Sequence, residues 1–100
     1  MDITKIEKGK DIVLKLSGWL DTNTSSLLGK EIDEIESFDS LTLDFDKLEY
    51  ISSSGLREIT IAYKAAKENN AEFQIINACE EVMNVFEITK LDTIINIKEK

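Results

Sequence analysis

Histidine is missing from this sequence, and cysteine occurs once, at Cys79. Without histidine there can be no Ser-His-Asp triad and no imidazole ligand for a metal. With one thiol there is neither an internal disulfide nor a multi-thiolate zinc site. A lone cysteine suits a reducing compartment, so a cytoplasmic protein is expected. No Gly-x-Ser-x-Gly elbow occurs, and no Gly-x-x-x-x-Gly-Lys phosphate loop. Nothing in the sequence pairs Lys47 or Lys64 with a serine as its activating base. These gaps point away from an enzyme and toward a binding protein with no cofactor and no metal. Long apolar runs are absent too: none approaches the roughly 20 residues of a membrane span. The stretch Met1-Asp2-Ile3-Thr4-Lys5 lacks the basic and apolar regions of a signal peptide, so no export leader is expected.

Positive charge is scarce. Twelve Lys and Arg face 20 Asp and Glu, for a net charge of −8. The imbalance is uneven: residues 1–50 hold six Lys against twelve acids, and residues 51–100 hold six Lys and Arg against eight. Such a surface repels phosphate backbones, so direct nucleic-acid binding is not expected. It suits a basic protein partner, and equally it suits solubility alone. The 100 residues show no linker, repeat or low-complexity segment, which argues for a single domain over 1–100. A hydrophobic content of 42% is enough for one modest core.

The elements follow from periodicity. Ile3 to Glu7 reads as an edge strand, Gly9-Lys10 as a turn, and Ile12 to Leu16 as a strand with Ile12, Leu14 and Leu16 on one face. Ser17-Gly18 then breaks the pattern, which places Trp19 in a turn. Asp21, Thr22, Asn23 and Thr24 are all possible helix caps. Leu28, Ile32 and Ile35 mark one face of a helix ending near Ser37. Gly29 weakens that helix, and Lys30, Glu31, Asp33, Glu34 and Glu36 read as its solvated surface. Leu41, Leu43 and Phe45 alternate with polar residues, as in a half-buried strand over 41–46. Leu56, Ile59, Tyr63 and Ala66 recur at helical spacing as far as an Asn69-Asn70 stop. Residues 73–77 read as a strand, Glu80 to Ile88 as a short helix, and Thr93 to Ile97 as a closing strand. Tyr63, Phe73 and Phe86 are expected in the core. A hairpin followed by alternating helices and strands predicts an α/β fold, a mixed sheet covered by about three to four helices.

The most distinctive stretch is Tyr50-Ile51-Ser52-Ser53-Ser54-Gly55-Leu56-Arg57, where the strand pattern gives way to the helix pattern. A serine hydroxyl there can cap the helix by accepting a free backbone N–H. Gly55 allows close backbone packing. Free N–H groups and the helix dipole also favour a phosphate at such a junction, by about 0.3–1 kcal/mol at an exposed site. Cap and polar turn, or phosphate-bearing switch, are both open from this stretch alone. Asp21, Asp44 and Asp46 could gather near it and hold a divalent cation, or be no more than an acidic surface. Trp19 reads equally as an exposed binding anchor or as partly buried against the sheet. Arg57 reads as solvated or as paired with an acid or a partner's phosphate.

That stretch resembles the signature of the STAS domain, the fold of bacterial anti-anti-sigma factors (anti-sigma factor antagonists). Leu16-Ser17-Gly18-Trp19-Leu20-Asp21 resembles the family's early Leu-x-Gly-x-Leu-Asp turn. Val85-Phe86-Glu87-Ile88-Thr89-Lys90-Leu91-Asp92 resembles its late segment. The three matches lie in order across nearly the whole chain. The resemblance implies a small αβ sandwich, a single STAS-like domain with the serine loop at the tip of a central strand. It implies a partner that is both an anti-sigma factor and an ATP-dependent serine kinase. The unmodified antagonist binds that partner and frees a sigma factor. The kinase phosphorylates a loop serine and so ends binding, and a metal-dependent serine phosphatase restores it. Laid on this chain, the modified residue is Ser53, with Asp21, Ser52, Ser54, Gly55, Leu56 and Arg57 as partner-binding residues around it. Ser52 stands where the best-known members carry aspartate, which leaves it as a competing acceptor. Other STAS domains are non-switching interaction modules of larger signalling or lipid-transport assemblies, the alternative function. A nucleotide-binding domain is a third reading, and it would need a phosphate-cradling loop.

Overall fold

The computed structural model describes residues 2–35 and 37–100; Met1 and Glu36, the latter read above as helix surface, lie outside the described residues. Two strands, β1 (Asp2–Lys8) and β2 (Asp11–Leu20), form the expected hairpin. Gly9 turns it with φ +63°. Three crossovers follow: helix α1 (Ser25–Asp33) to β3 (Ser40–Ile51), α2 (Ser53–Glu68) to β4 (Glu72–Ala78), and α3 (Glu80–Thr89) to β5 (Asn96–Glu99). The sheet order is β1-β2-β3-β4-β5, antiparallel only between β1 and β2. Each crossover advances one strand in the same direction. Right-handed connections of that kind place every helix on one face of the sheet.

That face is the core. Ile12 and Leu14 of β2 lie opposite Leu41 and Leu43 of β3, and Leu43 lies opposite Ile75 of β4. All five are buried. The helices close over them with Leu28 and Ile32, then Ile59, Ala62 and Ala66, then Val82 and Phe86. Phe86 stacks on Phe45 with ring centroids 6.3 Å apart. Tyr63 and Phe73 pair at 6.3 Å but are only half-buried at the edge of the core. The opposite sheet face is polar: Gln74 Nε2 donates to Thr42 Oγ1 at 3.1 Å, and Asn77 Nδ2 donates to Asp44 Oδ1 at 3.0 Å. The result is the mixed sheet covered by helices that alternation and helical spacing predict, and the small αβ sandwich that the resemblance implies, with three α-helices.

Four boundaries differ from expectation. Ser17-Gly18 does not end β2: register shifts between Lys15 and Ser17 and between Gly18 and Trp19 absorb the irregularity as bulges, and Gly18 adopts φ +94°. Trp19 is therefore a strand residue, not a turn residue. The strand expected over 41–46 runs on to Ile51, because the prolonged β2 keeps offering ladder partners as far as Leu20 opposite Ile51. The first helix stops at Asp33, short of Ile35. There Ile35 N–H turns to the Ile32 carbonyl at 3.1 Å, a tighter bond than a helix makes. The closing strand starts at Asn96. Residues 91–93 instead form a single 3₁₀ turn after the left-handed Lys90 (φ +66°). Ile95 is buried just before that strand, and Ile97 is half-buried within it.

Candidate functional site

β2 and β3 end side by side, and the chain leaves each of them into a helix at the same sheet edge. Ser52 sits between β3 and α2 in extended backbone (φ −99°, ψ 176°). Its N–H donates to the Leu20 carbonyl at 2.9 Å, fastening the serine junction to the end of β2. Its hydroxyl accepts Gly55 N–H at 3.3 Å, and its carbonyl accepts Leu56 N–H at 2.9 Å. Ser52 is thus the N-cap, the first of the two roles open to the cluster.

Ser53 is the first residue of α2 and is exposed. Among the described residues its hydroxyl makes no hydrogen bond. Ser54 is half-buried, and its Oγ lies 3.4 Å from Thr22 Oγ1 of the neighbouring loop. Two of the three hydroxyls are therefore engaged, and the middle one has no partner among the described residues. Gly55 is buried, and the reason it is glycine is steric. A Cβ there would stand 2.8 Å from the Leu20 carbonyl oxygen and 2.9 Å from Ile51 Cγ1 and Leu20 Cγ. Leu56 packs half-buried against the core. Arg57 is exposed and belongs to neither ion pair of the described residues, Lys5–Glu7 and Lys100–Asp46.

Asp21 builds the loop on the other side of the Leu20 carbonyl. Its Oδ1 accepts the N–H groups of Asn23 (3.0 Å) and Thr24 (3.1 Å), and its own N–H donates to Thr24 Oγ1 at 2.9 Å. The Thr24 hydroxyl lies 3.0 Å from the same carboxylate oxygen and 2.7 Å from the Trp19 carbonyl. These donors, the Thr24 hydroxyl foremost, hold the Asp21 carboxyl below the usual aspartate value of 3.8. Of the four cap candidates, Thr24 occupies the N-cap position of α1 but spends its hydroxyl within the loop.

The three aspartates do not gather. Asp44 lies opposite Lys15, seven residues along β3 from Ile51, or about 23 Å at strand rise. It accepts Asp46 N–H at 3.0 Å as well as the Asn77 amide. Asp46 pairs with Lys100 at 3.2 Å. No cluster of metal-ligating side chains occurs among the described residues.

Three residues have roles that the sequence reading did not give them. Leu20 supplies the carbonyl that both fastens Ser52 and forbids a side chain at position 55. Thr22 meets Ser54. Tyr50 lies opposite Trp19 in the ladder and tilts against it, with ring centroids 5.6 Å apart. Parallel pairing of the two strand ends was the missing signal for all three.

The family model of the STAS domain matches residues 2–100. The fold is shared with solved structures. A Thermotoga maritima protein described as a candidate anti-sigma factor antagonist superposes with a TM-score of 0.90, at 20% identity over 98% of this chain and 86% of that one. An anti-sigma factor antagonist from Mycobacterium paratuberculosis gives 0.88, at 19% identity over 99% and 86%. The Bacillus cell fate determinant SpoIIAA in its phosphorylated form gives 0.77, at 15% identity over 96% and 90%.

Proposed function

We propose that this chain, which belongs to the STAS domain family, is an anti-sigma factor antagonist switched off by phosphorylation at Ser53. Unmodified, it docks through the serine junction onto an anti-sigma factor that is also a serine kinase, and a sigma factor is released. Phosphorylated, it does not dock, and a metal-dependent serine phosphatase returns it to the active form. It acts by binding, not by catalysis. Asp21, Ser52, Ser54, Gly55, Leu56 and Arg57 shape or border the docking surface.

One observation carries this reading: Ser53 is the exposed serine of the three, at the first position of a 16-residue helix, with its hydroxyl unengaged among the described residues. A kinase can reach that oxygen without dismantling a cap. In the free protein a phosphate is tolerated there. It meets the positive end of the helix dipole, and the first turn of α2 carries no acid. In the complex the same group is intolerable. It adds about −1.5 to −2 charge at neutral pH, and burying that charge without a cationic partner costs several kcal/mol. The switch is differential, set by what the phosphate meets in free and bound states, with no refolding of the domain.

The test is incubation of the protein with its kinase and ATP, followed by mass-spectrometric mapping. A single phosphate on Ser53 is expected. Modification at Ser52 or Ser54 with Ser53 untouched would refute the assignment.

A further inference from the structure

Beside the serine junction the described surface carries an apolar strip that the switch does not use. Trp19 is 57% exposed and rests against Tyr50, which is 49% exposed. Tyr50 forms one wall of a groove of about 230 Å³ between the end of β3 and α3, and Val85 forms the other. One helical turn beyond Val85, on the same helix face, Ile88 is 81% exposed. Exposed apolar residues in a continuous strip mark an interaction surface. The charged residues that line the groove itself are both acidic, Glu49 and Glu81. Lys47 and Lys100 line the adjoining pocket with the same two glutamates, and Lys100 is held there by Asp46 at 3.2 Å.

We propose that this strip is the specificity surface of the docking site, and that its occupant is the anti-sigma kinase itself, through a segment with apolar side chains flanked by lysine or arginine. The proposal rests on the function inferred above and adds the residues that choose the partner. Ser53 is three residues beyond Tyr50, so a protein covering the serine junction reaches Trp19 and Tyr50 in the same footprint. Rigid aromatic side chains at the centre of a contact supply most of its binding energy. The paired glutamates reject partners whose groove-facing segment is acidic.

The experiment is titration of Trp19→Ala, Tyr50→Ala and the double variant Glu49→Lys/Glu81→Lys against the kinase, with Ser53→Asp and Ile61→Ala alongside. Circular dichroism checks that each variant is folded. Each aromatic variant is expected to weaken the complex by about 30-fold. The double charge reversal is expected to weaken it and to flatten its salt dependence. Ile61→Ala, on an exposed flank of α2, should leave it unchanged. Wild-type affinity in the aromatic variants, with Ser53→Asp still blocking docking, overturns the strip and leaves the serine switch standing. No complex with the unmodified protein overturns both. Self-association lost on Trp19→Ala would assign the strip to a second copy of this chain and overturn the proposal.

Discussion

Three adjacent serines sit in three different environments, and substitution should separate them. Ser52→Ala removes the capping hydroxyl that accepts Gly55 N–H, and about 1 kcal/mol of stability should go with it. Ser53→Ala removes a hydroxyl with no partner among the described residues, so urea denaturation should show a change within about 0.5 kcal/mol. The same variant should take up no phosphate. A large stability loss at Ser53 would mean that the hydroxyl is structural after all. Gly55 has the opposite profile. Its added methyl in Gly55→Ala would collide with main chain at Leu20, which cannot swing aside as a side-chain tip does. A loss of about 1–3 kcal/mol is expected in the same experiment. Asp21 offers a pH-dependent readout. Its folded-state pKa is depressed by the Thr24 hydroxyl and by the loop N–H groups. The stabilisation is therefore complete above the unfolded-state value near 3.8 and is lost as pH falls through the lower folded-state value. NMR titration of the Asp21 carboxyl should show a midpoint below 3.8, and Thr24→Val should move that midpoint upward.

At the scale of elements, what was legible in the sequence was whatever rests on a repeating pattern. Ile12, Leu14 and Leu16 alternate, and Leu28 and Ile32 recur at helical spacing. Each finds its buried place because one periodicity fits one element. The Asn69-Asn70 stop is equally local: Asn69 caps α2, and Asn70 takes φ +53°. The illegible parts depend on partners distant in sequence. Nothing local says that β2 survives Ser17-Gly18; the ladder to residues 47–51 decides it. That bulged stretch sets the position of the Leu20 carbonyl, and through it the serine junction. Gly18 holds φ +94° there, where a β-carbon is strained. Gly18→Ala should cost about 1–3 kcal/mol by urea denaturation. A neutral result would show that the bulge does not need glycine. The possibility that Asp44 and Asp46 gather at the serine loop needs a strand ending near 46, whereas β3 ends five residues later, at Ile51.

Over the whole molecule, the sheet divides the labour. One face buries the core beneath three helices, the other is polar, and the edge where β2 and β3 end carries the serine junction. No helix among the described residues is long and apolar enough to cross a membrane. The net charge of −8 opposes contact with phosphate backbones, and it suits a basic partner and solubility alone equally. On the function proposed above, the acceptor stands on a helix packed by Ile59, Ala62 and Ala66, so adding a phosphate should leave the backbone where it is. On that proposal the switch lies wholly in what happens at the interface. The most direct measurement is calorimetric titration of the unmodified and the stoichiometrically Ser53-phosphorylated protein into the kinase. A dissociation constant raised by about 100-fold or more on phosphorylation is expected, as for a charge buried without a partner. Equal dissociation constants for the two forms would contradict it.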